Sequence, residues 1–157
     1  MRITLISVGR IAESFIRDAC AVYGEKIARY AEFRRIVIPE ERISPRGKKD
    51  YILQQEGRRI QAKFQPGAWI VTLDERGAFL TSPGLARQLE QWGQTGRKEL
   101  FFVIGGPYGL EKRLKEKADF CLALSNLTLP HGLAQVLLLE QIYRAFTILR
   151  GEPYHKT

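Results

Sequence analysis

Strand-like and helix-like apolar patterns alternate along the whole chain, and this alternation restricts the fold more than any other feature. Runs typical of buried strands fall at residues 2–8, 35–38, 68–73, 100–104 and 120–124. Helical spacing of apolar residues is found at 11–31, about 50–64, from Ser82 to Trp92, about 110–118 and about 131–150, and Gly151 is expected to end the last helix. Strands that alternate with helices predict an α/β fold, with a mostly parallel sheet and helices on both faces. The polar run from Asp74 to Gly77 predicts a turn after the third strand.

Length and composition predict one cytoplasmic domain that spans residues 1–157. A chain of this size buries roughly 68–70% of its unfolded surface, and its composition is ordinary for a globular protein. No apolar run approaches the ~18 residues that a membrane helix needs, and the N-terminal segment fits a strand better than a signal peptide. Cys20 and Cys121 lie far apart without a CxxC spacing, so the sequence predicts neither a metal site nor a disulfide framework.

Positive charge is concentrated in one stretch of the chain. The formal net charge is +8, and residues 34–63 hold nine cations against four anions. Within this stretch, the turn signal Ser44-Pro45-Arg46-Gly47 lies beside cations that we expect to be exposed. Such a patch attracts phosphate backbones and releases counterions on binding. The sequence therefore favours a polyanionic partner, and the alternative is a solvated basic surface that binds nothing.

The last predicted helix is apolar on more than one face. Its apolar positions are Leu133, Val136, Leu137, Leu138, Leu139, Ile142, Ala145, Phe146, Ile148 and Leu149. A helix with so wide an apolar surface is buried on several sides, which belong either to a subunit interface or to the core of a monomer. Glu140 and Arg144 are spaced i, i+4, so they either neutralise each other or point into a site.

Two loops after predicted strands offer main-chain groups to a ligand. Gly105-Gly106-Pro107-Tyr108-Gly109 matches neither the dinucleotide fingerprint nor the phosphate loop, and a tight turn is the simpler explanation of its glycines. Ser125 lacks a G-x-S-x-G elbow, and two histidines are too few for the usual triads or metal sites. His131 opens the last helix, where it either contacts a ligand or caps the helix. Tyr154-His155-Lys156 either joins an aromatic ring to cations that suit RNA or is a frayed tail.

Four motifs, taken in order, closely resemble the RlmH family. They are Ile104-Gly105-Gly106-Pro107-Tyr108-Gly109, the segment Leu122 to His131, Leu139-Glu140-Gln141-Ile142-Tyr143-Arg144-Ala145-Phe146, and Pro153-Tyr154-His155-Lys156. RlmH proteins are bacterial enzymes of the SPOUT superfamily that methylate N3 of a pseudouridine in large-subunit (23S) ribosomal RNA. The resemblance covers the whole chain, and it implies a SPOUT-type α/β fold with a C-terminal trefoil knot. It also implies a homodimer packed through the knotted region, and a substrate presented by the assembled ribosome.

The same resemblance implies a site for S-adenosylmethionine. By motif, the cofactor contacts fall at Leu73, Gly105, Gly106, Ser125, Asn126, Leu127, Thr128, Leu129 and Pro130. The residues implied to position the nucleotide or to take its proton are His131, Glu140, Arg144 and His155. Contacts to RNA are implied for Arg46, Lys48, Tyr154, His155 and Lys156, with the tail of one subunit completing the site of the other. The alternative is a non-catalytic RNA- or ribosome-binding protein that uses the same basic patch and binds no cofactor.

Overall fold

Five strands and five helices alternate in the part of the chain that a computed structural model describes, which is residues 1–42 and 48–156. In chain order they are β1 (Arg2–Val8), α1 (Ser14–Ala28), β2 (Glu32–Ile38), α2 (Lys49–Gln61), β3 (Trp69–Phe79), α3 (Ser82–Gln94), β4 (Glu99–Ile104), α4 (Lys112–Glu116), β5 (Phe120–Ala123) and α5 (His131–Leu149). The predicted alternation is confirmed. Apart from the end of β3, element boundaries lie within a turn of their predicted positions.

All five strands are parallel, in the order β2-β1-β4-β3-β5. The chain therefore moves toward the β2 edge through α1 and α3, and toward the β5 edge through α2 and α4. Because parallel crossovers share one hand, the two directions place their helices on opposite faces of the sheet. The core agrees, since α1, α3 and α5 share one apolar cluster whereas α2 and α4 contribute to the other. The prediction of helices on both faces is confirmed.

The central strand β4 is covered by apolar side chains on both faces of the sheet. Every residue of β4 is buried, and its side chains alternate between the two apolar clusters. Leu100 and Phe102 lie in the cluster with α1, α3 and α5, whereas Phe101 and Val103 lie in the cluster with α2. A strand covered on both faces has no polar side, which is why this segment is a continuous apolar run in the sequence.

The helix α5 lies between α1 and α3 on one face of the sheet. Leu138, Leu139, Ile142 and Ala145 are fully buried in this three-helix layer. Contacts on three sides explain why its apolar surface is wider than one stripe. Part of that surface stays open in a single chain, because Leu133 is 46% exposed at the start of the helix.

The sequence predicts that the third strand ends at Leu73 and that a turn begins at Asp74, but the structure differs. The strand β3 continues to Phe79, and its pairing with β5 shifts register between Leu73 and Ala78. Residues 74–77 form a bulge between these two pairings, and Gly77 lies close to β5, since its Cβ would be 2.7 Å from the main-chain oxygen of Cys121. The predicted turn was wrong because a bulge interrupts the apolar alternation in the same way as a turn does.

Two further expectations concern membranes and chain threading. Within residues 1–42 and 48–156, no helix has the length and apolar character needed to cross a bilayer. The trefoil knot stays a prediction of the family resemblance.

Candidate functional site

Three neighbouring strands deliver the expected cofactor residues to one edge of the sheet. Leu73 ends the regular part of β3, Gly105 follows β4, and Ser125 follows β5. Because β4, β3 and β5 are adjacent and parallel, their carboxyl ends lie side by side. This edge is where open α/β sheets bind ligands. The structure therefore brings together the three segments that the sequence analysis assigns to the cofactor.

The loop after β4 is a tight turn whose glycines are required by its own geometry. The amide of Gly109 donates to the carbonyl of Gly106 over 2.9 Å, and Gly109 has a φ of +81°. A Cβ on Gly105 would lie 2.4 Å from the carbonyl oxygen of Gly109. The close approach within this turn is therefore sufficient to require glycine at position 105. Because the glycines have no side chains, a ligand at this edge of the sheet would meet main-chain groups.

The loop after β5 is open and largely unbonded. Leu127 is 75% exposed, and Asn126, Thr128 and Pro130 are exposed as well. In the described part of the chain, the main-chain groups of residues 125–129 make one hydrogen bond, from the Leu127 amide to Oγ of Ser125 at 2.9 Å. Free main-chain donors and acceptors beside exposed leucines suit a flat heteroaromatic ligand with an apolar face.

A cleft of about 310 Å³ lies beside this loop. Its walls come from the link between β3 and α3, the start of α3, β5 with Leu124, and two residues of α5, Leu137 and Gln141. Oγ of Ser82 donates to Oε1 of Gln141 across it over 2.7 Å. Neither Gly105 nor Gly106 lines the cleft, so it adjoins the loop after β5 rather than the loop after β4.

The C-terminal tail folds back onto α5 because of the way the helix ends. Gly151 adopts a φ of +66°, as expected for the predicted terminator, and its amide donates to Ile148 O over 3.1 Å. The amide of Glu152 donates to Thr147 O over 2.9 Å. These two bonds form a Schellman motif, which reverses the chain direction. The tail is therefore ordered and not frayed.

The reversal assembles a group of four side chains, Glu140, Arg144, Tyr154 and His155, which we call the tail cluster. Arg144 Nε donates to Oε1 of Glu140 over 3.0 Å, and the hydroxyl of Tyr154 donates to the same oxygen over 3.0 Å. The guanidinium of Arg144 lies 4.7 Å from the Tyr154 ring centre. Its Nη1 is 3.4 Å from Nδ1 of His155. Three of the four residues proposed for chemistry thus meet at one point.

Electrostatics in the tail cluster favour a charged pair and a neutral phenol. Burial raises the pKa of Tyr154, and its neighbours Tyr23 and Glu140 act in the same direction. The hydrogen bond to Glu140 raises the pKa of Arg144. The Glu140 carboxylate accepts hydrogen bonds from Arg144, Tyr154 and the Gln141 amide, so three donors hold it beside the guanidinium. Its geometry suits orientation of Arg144 better than proton abstraction.

Sequence analysis missed the aromatic residues that support the tail cluster. The rings of Tyr143 and Tyr154 meet edge to face with centres 4.7 Å apart. Tyr30 stacks on Phe146 at 5.3 Å, and its hydroxyl donates to Glu152 over 2.5 Å. A usable signal was present, because Tyr23 and Tyr30 are seven residues apart on or beside α1, the spacing of one helix face.

His131 lies at the other end of α5, away from the tail cluster. At 1.5 Å per residue, about 14 Å of helix separates His131 from Glu140, and about 20 Å separates it from Arg144. Pro130 occupies the N-cap position and no side chain caps the helix, so His131 has no capping role. Its Nε2 is buried with no hydrogen-bond partner among the described residues. One chain therefore does not unite the four residues proposed for chemistry.

Comparison with known proteins identifies the family. A model described as predicted SPOUT methyltransferase matches residues 1–155. The ribosomal RNA large subunit methyltransferase H of Syntrophotalea carbinolica is 42% identical over 155 residues, which cover 99% of each protein. The chain belongs to the RlmH family. A Methanococcus maripaludis protein assigned to the same methyltransferase H group is 41% identical, over 99% of this chain and 100% of the relative.

The fold of the RlmH chain is also found among solved structures. A methylase family protein from Haemophilus influenzae Rd KW20 superposes with a TM-score of 0.54, over 99% of this chain and 70% of the other. At 14% identity the likeness concerns the fold alone. The SPOUT-type α/β architecture expected from the sequence is confirmed.

Three residues for which the resemblance implies RNA contact lie outside the tail cluster. Arg46 lies outside the described residues. Lys48 is exposed immediately before α2, and Lys156 is exposed at the end of the tail. Among the residues that the structure describes, no group of three histidine, cysteine or acidic side chains is arranged to hold a metal ion.

Proposed function

We propose that this protein transfers the methyl group of S-adenosylmethionine to N3 of a pseudouridine in large-subunit ribosomal RNA, acting in the cytoplasm on the assembled ribosome. The observation that carries the proposal is the end-to-end identity with proteins named ribosomal RNA large subunit methyltransferase H. The 42% identity extends over 99% of both chains, so the alignment leaves room in neither for an additional domain that could supply a different active site.

The cofactor residues we propose are Leu73, Gly105, Gly106 and the loop Ser125, Asn126, Leu127, Thr128, Leu129, Pro130. The unbonded main chain of that loop supports the assignment, because amide and carbonyl groups can pair with the edge of an adenine while leucines cover its face. When bound, S-adenosylmethionine supplies an electrophilic methyl group on a sulfonium. The loops contribute orientation, which is the main requirement of an in-line transfer.

The tail cluster is proposed to hold the base whose N3 is methylated. Loss of the N3 proton leaves negative charge shared with the neighbouring carbonyl oxygens. A guanidinium beside those oxygens stabilises that charge and favours proton loss. Arg144 is fixed for this task by Glu140 and Tyr154, and its Nη1 remains directed toward His155. We assign Glu140 to positioning and keep His155 as the group that accepts the proton.

A homodimer reconciles the two separated halves of the site. About 20 Å of α5 separates His131 from Arg144, so the tail cluster of one chain is remote from its own cofactor loops. Two α5 helices packed antiparallel across a two-fold axis bring the end of each helix to the start of the other. Exposed apolar residues support this arrangement, because Phe15 of α1 is 68% exposed and Leu133 of α5 is 46% exposed. The tail then completes the site of the partner subunit.

Calorimetric titration with S-adenosylmethionine tests the proposal, together with mass spectrometry of large-subunit rRNA from cells with and without the gene. We expect binding to the protein alone and loss of one methyl group from one pseudouridine in the deletion strain. If rRNA from the two strains carries the same modifications and the protein binds no cofactor, the methyl-transfer proposal is wrong. The non-catalytic RNA-binding alternative then replaces it.

A further inference from the structure

The helices on the two faces of the sheet differ in charge. In α1, α3 and α5 together, four cations are balanced by four anions. In α2 and α4 together, six cations face three anions. Lys48, Lys63 and Lys117 add further positive charge next to the ends of these two helices. The excess positive charge of the described helices therefore lies on the α2–α4 side.

Several acidic residues on the α2–α4 side are buried or paired, whereas Asp50 is exposed and forms no ion pair with a described residue. Glu56 is 4% exposed. Asp74 accepts from Lys115 over 2.7 Å, and Glu116 pairs with Lys112 at 3.5 Å; Glu41 pairs with Arg59. Six cations remain without a carboxylate within 4 Å in the described part of the chain: Lys48, Lys49, Arg58, Lys63, Arg113 and Lys117. Positive charge therefore exceeds negative charge on the surface of this side.

Two tyrosine rings are exposed among these cations. Tyr51 of α2 is 53% exposed, and Tyr108 of the loop after β4 is 39% exposed. Nζ of Lys49 lies 6.0 Å from the centre of the Tyr108 ring. Tyr51 and Arg58 are seven residues apart, so they share one side of α2. Aromatic rings set between cations are the arrangement that binds single-stranded nucleic acid, by stacking on bases and contact with phosphates.

We propose that this surface, which we call the basic face (Lys49, Tyr51, Arg58, Tyr108, Arg113 and Lys117), binds a single-stranded segment of the ribosomal RNA substrate and leads it to the cofactor loops. The proposal rests on the proposed function and names a second RNA contact, separate from the tail cluster. Cations bind the phosphates, and the two tyrosines stack on unpaired bases.

The basic face is continuous with the site, because α2 contacts the loop that carries Tyr108. A Cβ on Gly106 would lie 3.5 Å from Oε2 of Glu56, and a Cβ on Gly57 would lie 2.4 Å from Oε2 of Glu111. The loop after β4 is thus packed between α2 and the start of α4. RNA on these helices meets the edge of the sheet at Tyr108.

Charge and exposure favour RNA over the other occupants of such a surface. A helix that binds a membrane exposes aliphatic side chains. In α2 and the loop after β4, by contrast, the large exposed hydrophobic residues are tyrosines. A second copy of the chain carries the same positive charge and would be repelled. Exposed Phe15, Val22 and Leu133 lie on the helices of the other face, which suits that face to a subunit contact.

Charge reversal on the basic face tests the phosphate contacts. The variant is Arg58→Glu with Arg113→Glu, and the matched control is Arg87→Glu with Lys98→Glu, which makes the same charge change at exposed positions elsewhere. The probes are large ribosomal subunits from the deletion strain and protein-free large-subunit rRNA. We expect the variant to bind both probes about tenfold or more weakly, with a salt slope lower by about two.

Cofactor titration keeps this result separate from the proposed function. Both double variants should bind S-adenosylmethionine like the parent protein, which also shows that they are folded; the milder Arg58→Gln with Arg113→Gln serves if the first variant is unstable. Equal RNA affinity in variant and control overturns the proposal. Weaker binding to subunits with unchanged binding to free rRNA also overturns it, because a ribosomal protein is then the partner.

Substitution of Tyr108 tests stacking. Tyr108→Ala should weaken RNA binding about fivefold or more, whereas Tyr108→Phe should retain it, because a stacked ring is worth at least about 1 kcal/mol. If the parent protein fails to bind cofactor but these RNA effects appear, the basic face stands and the methyl transfer does not. If the alanine and phenylalanine variants bind RNA equally, the stacking contact is wrong.

Discussion

The hydroxyl of Tyr154 donates a hydrogen bond of 3.0 Å to Oε1 of Glu140, fourteen residues earlier in the chain. This bond joins the tail to the one charged pair of an otherwise apolar helix. It depends on the chain reversal at Gly151, since a straight continuation of α5 would carry Tyr154 away from Glu140. The helix-ending motif therefore brings Tyr154 and His155 back to the side chains of Glu140 and Arg144.

Removal of residues 153–157 should abolish methylation and leave cofactor binding unchanged. The deletion takes away Tyr154 and His155 and frees the Arg144 guanidinium, whereas the loops after β4 and β5 are untouched. Mass spectrometry of the rRNA product and calorimetry with S-adenosylmethionine measure the two effects. Full activity of the shortened protein would contradict the tail's role. As a milder companion, Tyr154→Phe should cost about 1 kcal/mol of stability and retain much of the activity.

Gly105→Ala should destabilise the fold by about 2 kcal/mol or more, because its Cβ would overlap main chain that has no room to move. The nearest atoms are the carbonyl oxygen and carbon of Gly109, at 2.4 and 2.5 Å. Gly93→Ala is the control, since its nearest neighbour is Met1 Cε at 3.9 Å. Located in α3, it should stabilise by up to about 1 kcal/mol. Urea unfolding compares the two, and equal stabilities would refute the account of this loop.

Glu56→Gln should reduce the pH dependence of stability above about pH 4.5. Burial raises the pKa of Glu56 above its usual 4.5, and the nearby Glu40 acts in the same direction. The folded state thus holds this proton more tightly than the unfolded state, so the contribution is fully present below pH 4.5 and is lost as the pH rises through the folded pKa. The variant should gain stability over the parent in that interval. Parallel stability curves between pH 4 and 8 would show the shift to be absent.

Phe15→Glu should convert the proposed dimer to monomer. Phe15 is 68% exposed on α1, and its neighbour Ile16 lies beside Gly132 at the start of α5. A carboxylate there would be buried without a partner in the proposed interface. Tyr51→Glu is the control, because Tyr51 is similarly exposed on the opposite face. Light scattering after size exclusion measures mass, and a monomeric parent protein would end the dimer model.

Periodicity was sufficient to predict most of this fold. The segments around β4 and α5 are unambiguous because burial on both faces, or on three sides, leaves long apolar runs. The bulge in β3 was missed because Asp74 and its polar neighbours lack the alternation that defines a strand. Local pattern also gives no measure of distance, so His131 and Arg144 seemed to belong to one site.

The tail cluster shows a different limit of sequence reasoning. Gly151 was predicted to end the helix. The direction of the chain after it depends on the two hydrogen bonds of the Schellman motif, which no sequence pattern predicts. The supporting rings of Tyr143, in α5, and Tyr30, just after α1, are separated by most of the chain. Family resemblance supplied what periodicity lacked, because it treats the tail and α5 as one unit.

The alternating direction of the crossovers has an evolutionary consequence. Because α1, α3 and α5 lie on one side of the sheet and α2 and α4 lie on the other, the surfaces proposed for the second subunit and for the ribosome share few residues. Each can diverge without compensating change in the other. Substitutions in α2 and α4 can then alter the proposed ribosome contact while the proposed subunit interface keeps its residues.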